Sequence, residues 1–76
     1  LDLRGKRGEE ALNETEKYID EAVLLSIKEV NILHGKGNGI LRRIIRDFLS
    51  KNSNIKEFHD ATLETGGTGI TKVTLK

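Results

Sequence analysis

The apolar positions change their spacing along the chain in an ordered way, and this change predicts the secondary structure. Leu1 and Leu3 alternate with Asp2 and Arg4, as expected for a strand that is covered on one face only. Residues 8–25 then carry apolar side chains at helical spacing. The side chains at those helical positions are Ala11, Leu12, Ile19, Ala22 and Val23.

The rest of the pattern predicts a second strand, a second helix and two further strands. The second strand covers residues 28–34, and the second helix has apolar side chains at i, i+1, i+4 and i+5 along residues 40–49. Residues 55–60 and 70–75 complete the order β-α-β-α-β-β. We expect an α/β two-layer sandwich, with a four-stranded mixed sheet and two helices on one face. Strands one to three should run parallel and the last strand antiparallel to them.

The glycines separate these elements and mark one edge of the predicted sheet. All eight fall in three clusters, which are Gly5 and Gly8, then Gly35, Gly37 and Gly39, then Gly66, Gly67 and Gly69. In the predicted topology each cluster belongs to a connection at the carboxyl edge of the strands, where open α/β sheets usually bind ligands. The glycines and their polar neighbours should therefore converge in space.

The amino-acid composition excludes several classes of protein. The 76 residues predict a single domain spanning positions 1–76, with 36% hydrophobic residues and a near balance of 13 basic and 12 acidic side chains. The absence of cysteine excludes a disulfide scaffold, a zinc finger and a thiol nucleophile. No apolar run is long enough for a membrane span, so we expect a cytoplasmic protein without a membrane partner. Because the chain lacks methionine and opens within a strand pattern, we expect it to be part of a longer protein.

Residues 34–39, with the sequence His-Gly-Lys-Gly-Asn-Gly, lead directly into the second helix. Alternate glycines let a backbone approach a ligand closely, a helix N-terminus offers unpaired N–H groups, and Lys36 adds a full positive charge. The spacing matches neither a P-loop nor the dinucleotide-binding glycine motif. Phosphate binding and an ordinary strand-to-helix turn both remain open.

Polar residues at the same edge suggest proton transfer and anion binding. His34 ends the second strand and can exchange a proton near neutral pH, although a buried structural histidine is the alternative. Asp2 and Arg4 share one face of the first strand, either as a surface ion pair or as a proton acceptor beside a phosphate-binding guanidinium. His59 and Asp60 end the third predicted strand and suggest a second His/Asp pair at this edge. The candidate ligands are scattered over three strands without a tight spacing, which argues against a metal site.

Charge is unevenly distributed between the two helices. Residues 8–25 hold six acidic side chains against Lys17, whereas residues 34–51 hold five basic side chains against Asp47. The basic set includes Arg42, Arg43 and Arg46 of the second helix. This helix either follows a nucleic-acid backbone or presents an ordinary solvated face. Because no aromatic platform for base stacking is present, any nucleic-acid binding should have low sequence specificity.

Three spaced motifs resemble the Smr (small MutS-related) domain family over essentially the whole chain. They are Leu-Asp-Leu-Arg-Gly at residues 1–5, His-Gly-Lys-Gly at 34–37, and Gly-Gly-Thr-Gly-Ile-Thr-Lys-Val at 66–73. The version here is most similar to the domain at the C-terminus of the bacterial MutS paralogue that lacks a mismatch-repair role. The resemblance implies a fold similar to the C-terminal domain of bacterial translation initiation factor three.

The resemblance also implies functions and partners. Members of the family nick DNA, cleave RNA on stalled or collided ribosomes, or bind ribosomes without cutting. A parent protein of this kind is expected to be a homodimer with ATPase domains. Carried over by position, the family's motif residues are Asp2, Arg4 and His34, with Gly35 and Gly37 of the loop and the late glycines Gly66, Gly67 and Gly69.

From these features we expect an endonuclease domain that needs no tightly bound cofactor; a divalent metal is compatible with the sequence but not required by it. His34 would act as general base or acid, Asp2 would orient it or share its proton, and Arg4 and Lys36 would stabilise transition-state charge. Gly66–Gly69, including the Thr68 hydroxyl, is either a mobile hairpin loop or a clamp on the substrate backbone. The chemistry leans towards RNA, because its 2′-hydroxyl can serve as nucleophile.

Two other functional classes remain as alternatives. The first is a non-catalytic module that docks a larger ATPase onto ribosomes or branched DNA, in which Asp2 and His34 only shape the loop. The second is a protein-interaction domain that uses Glu9, Glu10 and Glu14 of the acidic first helix.

Overall fold

A computed structural model describes all residues from Leu1 to Lys76 and contains two helices and three strands. In chain order they are α1 (Gly8–Leu24), β1 (Glu29–Leu33), α2 (Ile40–Lys51), β2 (Ile55–Asp60) and β3 (Ile70–Leu75). Two short 3-10 turns, Leu63–Thr65 and Gly67–Gly69, connect β2 to β3. Both predicted helices and the last three predicted strands are thus confirmed.

The strands form one antiparallel sheet with the order β1-β3-β2. β3 pairs antiparallel with both neighbours, so Lys72 lies opposite Asn31 on one side and opposite His59 on the other. The predicted four-stranded mixed sheet is therefore wrong. β1 and β2 do run in the same direction, as expected, but the last strand of the chain lies between them.

The predicted first strand does not form, and only an isolated parallel bridge joins Asp2 to Leu33. Two backbone hydrogen bonds of 2.7 Å support it, from the Leu3 N–H to the Leu33 carbonyl and from the Leu33 N–H to the Leu1 carbonyl. The chain then turns at once, because the Arg4 N–H donates to the Asp2 carboxylate at 3.0 Å and Gly5 adopts a φ of 80°. A segment this short cannot build a ladder.

The core lies between the helices and one face of the sheet. Inward-facing strand residues alternate with exposed ones, which places both helices on the same face, as predicted. The buried side chains that meet there include Leu3, Ile19, Ile32, Ile45, Leu49 and Val73. Neither helix is both long enough and apolar enough to cross a membrane.

Candidate nucleic-acid interface

The second and third glycine clusters converge at the end of the sheet where β1 stops, as the sequence predicted, whereas Gly8 of the first cluster lies against Ile44 of α2. The Gly69 carbonyl accepts hydrogen bonds from the N–H groups of both His34 (3.1 Å) and Gly35 (3.0 Å). These bonds join the loop after β1 (residues 34–39, the HGKGNG loop) to the turn before β3. Lys36 lies across that turn, since a Cβ atom added at Gly69 would stand 3.3 Å from its Cγ. Arg4 also lies against the loop, since a Cβ at Gly35 would stand 3.4 Å from the Arg4 Cγ.

Asp2 and Arg4 form a bidentate ion pair beside this loop. Arg4 Nε donates to Asp2 Oδ1 at 3.1 Å and Arg4 Nη2 donates to Oδ2 at 2.9 Å. Hydrogen bonds from the Arg4 side chain and backbone lower the pKa of the Asp2 carboxyl to about 2, and the same contact raises the pKa of Arg4. Both side chains are more than half exposed. The Asp2 carboxylate therefore orients Arg4, and its low pKa makes it a weak proton acceptor.

The position of Arg4 leaves part of its guanidinium available. Its Nη1 has no hydrogen-bond partner in the chain, whereas Nε and Nη2 are held by Asp2. A guanidinium fixed on one edge and free on the other is suited to a phosphate oxygen. The arrangement thus supplies an oriented cation next to the backbone of the HGKGNG loop.

His34 lies beneath the loop rather than at its surface. The residue is only 5% exposed, and its Nε2 lies 2.8 Å from the Thr71 hydroxyl while Nδ1 lies 3.0 Å from the Gly35 carbonyl. Because a carbonyl oxygen only accepts, Nδ1 carries the proton, and in the neutral ring Nε2 accepts from Thr71. Both ring nitrogens are thus occupied, and neither contacts Asp2, so the expected orientation of His34 by Asp2 is not observed.

Thr71 is a site residue that sequence reasoning missed. It is fully buried and lies 37 positions after His34 in the sequence. Its signal in the sequence is a threonine among the inward positions of β3, which it shares with Val73 and Leu75. A hydroxyl in such a position requires a hydrogen-bond partner.

The HGKGNG loop exposes backbone donors around a cavity of about 140 Å³, lined by residues 34–42. Gly39 is the N-cap of α2 with a φ of 79°, a conformation that L side chains rarely adopt. The Asn38 side chain accepts from the Ile40 N–H at 3.1 Å, while the backbone N–H groups of Lys36 and Gly37 have no acceptor in the chain. Such unpaired donors in the loop that leads into a helix N-terminus favour an anion.

The Gly66–Gly69 segment is a hydrogen-bonded turn. The Gly67 N–H donates to the Thr62 carbonyl at 2.8 Å, and the Gly69 N–H donates to the Gly66 carbonyl at 3.1 Å. Gly67 and Gly69 are buried, whereas Thr68 is exposed and its hydroxyl makes no hydrogen bond within the chain. Contact with a substrate from this segment would therefore come from Thr68 rather than from the amides of Gly67 and Gly69.

The three arginines of α2 do not form a single basic stripe. Arg42 donates from Nε and Nη2 to the Asp60 carboxylate, with its shortest contacts at 2.9 Å, and Arg46 donates to the same carboxylate at 3.2 Å. Arg46 also lies over the Phe58 ring, 4.9 Å from its centre. Arg43 is exposed on another face, beside a cavity that Leu12 also lines.

Asp60 thus binds arginines and does not pair with a histidine. The ring of the adjacent His59 is exposed and its Nδ1 contacts the Asp60 backbone carbonyl at 2.9 Å. The proposed second His/Asp pair is therefore not present. No group of three or more His, Asp or Glu side chains is arranged to hold a metal ion.

Comparison with known proteins places the chain in a family. The Smr domain model matches residues 1–76. The chain is 49% identical to "Endonuclease MutS2" of Finegoldia magna and 54% identical to that of Pediococcus pentosaceus, over 76 residues in each case. The match covers 100% of this chain but 10% of each relative, so the chain spans about a tenth of the length of these curated proteins.

Solved structures agree with this assignment. The crystal structure of the Smr domain of Thermus thermophilus MutS2 is 41% identical, with a TM-score of 0.98 over 100% of this chain and 95% of that one. The structure of YdaL, a stand-alone small MutS-related protein from Escherichia coli, is 26% identical, with a TM-score of 0.94 over 100% of this chain and 63% of that one. The chain therefore belongs to the Smr domain family, and its homologues include the Smr domains of MutS2 proteins.

Proposed function

We propose that this domain binds nucleic acid and cleaves its phosphodiester bonds with low sequence specificity, as DNA nicking or RNA cleavage. The observation that carries the proposal is the position of Arg4 and Lys36 beside the HGKGNG loop and its turn, next to unpaired backbone N–H groups. The name of the MutS2 relatives, "Endonuclease", supports the same class of activity.

In this proposal Arg4 and Lys36 bind the scissile phosphate. Their charges, with the loop amides, oppose the negative charge that grows on the phosphoryl oxygens in the transition state. Asp2 keeps the Arg4 guanidinium in place, and the exposed Thr68 hydroxyl contacts the neighbouring nucleotide backbone. Arg42 and Arg46 extend the basic surface along α2 when some of their hydrogen bonds to Asp60 are exchanged for contacts with phosphate.

Proton transfer is the demanding step for this arrangement. His34 acts as general base or acid only if its ring leaves Thr71, since both nitrogens are engaged in the observed geometry. Otherwise it is a positioning residue that supports the loop from below. Asp2 is exposed but weakly basic, because its pKa is about 2. We therefore expect slow cleavage by the domain alone, faster on RNA, where the 2′-hydroxyl is the nucleophile.

A second function is favoured by the burial of His34. A residue that is 5% exposed and has both ring nitrogens hydrogen-bonded fits a structural support better than a proton shuttle. The domain would then be a module that docks a larger ATPase onto ribosomes or branched DNA, with Arg4 and Lys36 binding phosphate but no bond being broken.

A gel assay with supercoiled plasmid and a structured RNA, each with and without EDTA, separates the two functions. Arg4→Ala and Lys36→Ala should each reduce both binding and cleavage, whereas Lys17→Ala, on the exposed face of α1, should change neither. Cleavage that persists in EDTA and disappears in His34→Ala and His34→Gln would assign proton transfer to His34. Binding without cleavage would support the docking module, and a folded domain that binds neither nucleic acid would refute both functions.

A further inference from the structure

A contiguous group of exposed apolar side chains surrounds the C-terminal end of α1. Val23, Leu24, Leu25 and Ile27 are 41%, 83%, 61% and 42% exposed, and we call them the apolar patch. Single exposed apolar residues are common on protein surfaces, but four within five positions are not, and such clusters usually mark interaction sites.

The apolar patch belongs to an ordered helix end. Two hydrogen bonds close the helix, from the Ile27 N–H to the Ala22 carbonyl at 2.9 Å and from the Ser26 N–H to the Val23 carbonyl at 3.1 Å. This is a Schellman motif, with Ser26 in the left-handed conformation at a φ of 59°. The two leucines are therefore presented on a rigid turn, so little ordering is needed when a partner binds.

A groove of about 240 Å³ adjoins the apolar patch. Its walls include Tyr18 and Val30 together with Leu25 and Ile27 of the patch, and Glu21 and Glu29 also line it. The lining is thus mainly apolar with two carboxylates, a composition suited to an apolar side chain accompanied by positive charges.

The charges around the groove select the kind of partner. The last turn of α1 has no basic residue to balance the partial negative charge of the helix C-terminus. The nearby Lys28 is directed elsewhere, since its Nζ donates to the Lys76 backbone carbonyl at 2.9 Å. Glu21 and Glu29, together with the helix C-terminus, therefore favour a cationic group at the groove.

We propose that the apolar patch and its groove bind a cationic amphipathic helix of a protein partner, with apolar side chains in the groove and Lys or Arg side chains beside Glu21 and Glu29. The patch lies at the start of β1, whereas the HGKGNG loop follows its end, roughly 17 Å away along a strand of this length. The partner can therefore hold the domain while the proposed nucleic-acid site stays open.

The test uses fluorescence anisotropy with a labelled amphipathic peptide of leucine and lysine, and with the same peptide carrying glutamate in place of lysine. The lysine peptide should bind, and the glutamate peptide should bind about tenfold more weakly or not at all. The double variant Leu24→Ser/Leu25→Ser should weaken binding of the lysine peptide about tenfold. The matched control is Leu63→Ser, which removes a leucine that is 91% exposed outside the patch and should leave binding unchanged.

Two further measurements decide the remaining outcomes. NMR shifts on adding the lysine peptide should concentrate at Ile27, Glu29 and Val30 and spare Gly35 and Gly69. Equal binding to the native chain and to the Leu24→Ser/Leu25→Ser variant would overturn the proposal, because charge alone would then explain it. Self-association in sedimentation that this variant abolishes, without peptide binding, would also overturn it and assign the patch to a second copy of the chain.

Discussion

The imidazole of His34 and the hydroxyl of Thr71 share a 2.8 Å hydrogen bond in the interior, directly below the HGKGNG loop. The bond joins the residue that follows β1 to the central strand β3, and the Gly69 carbonyl joins the same two regions through the His34 and Gly35 amides. The loop that carries Lys36 therefore rests on the sheet through buried polar contacts. A substitution at the buried Thr71 should therefore alter the position of the loop, although it changes no exposed residue.

Thr71→Val should destabilise the fold by about 1–3 kcal/mol, because the buried Nε2 of His34 would lose its hydrogen-bond partner. For a domain of this size that corresponds to a melting temperature lower by roughly 4–8 °C for each kcal/mol. Urea denaturation measures the change directly. Thr71→Ser keeps the hydroxyl and should lose less than half as much, so equal losses in the two variants would assign the effect to packing alone.

The Asp2–Arg4 ion pair should remain intact at all pH values near neutrality. Arg4 lowers the pKa of the Asp2 carboxyl from 3.8 to about 2. The charged pair therefore contributes its full stabilisation of the folded state at pH values above 3.8. That contribution should be lost as the pH falls through about 2. An NMR titration of the Asp2 carboxyl carbon measures this pKa, and in Arg4→Gln it should return towards 3.8. A titration midpoint near 3.8 in the native chain would show that Arg4 does not hold Asp2 in solution.

Much of the fold could be predicted because its elements depend on local patterns. The apolar stripe of α2 and the limits of β2 and β3 follow from side-chain spacing alone. The first strand was wrongly predicted, since the alternation of Leu1 and Leu3 does not reveal that the Arg4 N–H turns back to Asp2. The order of the strands was also missed, because pairing between distant segments leaves no periodic signal in one sequence.

In the candidate site, too, some contacts could be predicted from the sequence and others could not. The convergence of Lys36 and the late glycines was predictable from topology, because both connections lie at one edge of the sheet, and Arg4 reaches that edge through the Asp2–Leu33 bridge. The partners of His34 and Asp60 were not, since Thr71 lies 37 positions from His34 and Arg42 lies 18 positions from Asp60. Such polar contacts depend on the exact register of β3 and the rotation of α2, which composition and spacing do not determine.

Asp60→Asn should raise the affinity of the domain for nucleic acid. The change removes the carboxylate that binds Arg42 and Arg46 and so makes both charges available to phosphates. The dependence of log K on log salt should steepen by up to about two, since each additional phosphate contact contributes close to one. Fluorescence anisotropy with a labelled oligonucleotide, repeated over a range of salt, gives both quantities.

The matched control for this prediction is Asp47→Asn, on the same helix. It removes the same charge but frees only Lys51, which lies 3.2 Å from Asp47 on the solvent side. Affinity should rise much less than in Asp60→Asn, with little change in slope. Equal gains in both variants would indicate a general charge effect and would remove Arg42 and Arg46 from the proposed interface.

Ser26→Gly should stabilise the domain by about 0.5–1 kcal/mol. Ser26 is the only non-glycine residue with a positive φ, at 59°, and glycine adopts this conformation without the steric cost that a Cβ imposes. The gain is partly offset by the greater chain entropy of glycine in the unfolded state. Thermal and urea denaturation measure the difference.

Ser50→Gly, within α2, is the control and should destabilise the fold, because a glycine there weakens a helix and removes the hydroxyl that donates to the Asp47 carbonyl. A loss of stability in both variants would mean that the α1 terminus does not keep this left-handed turn in solution.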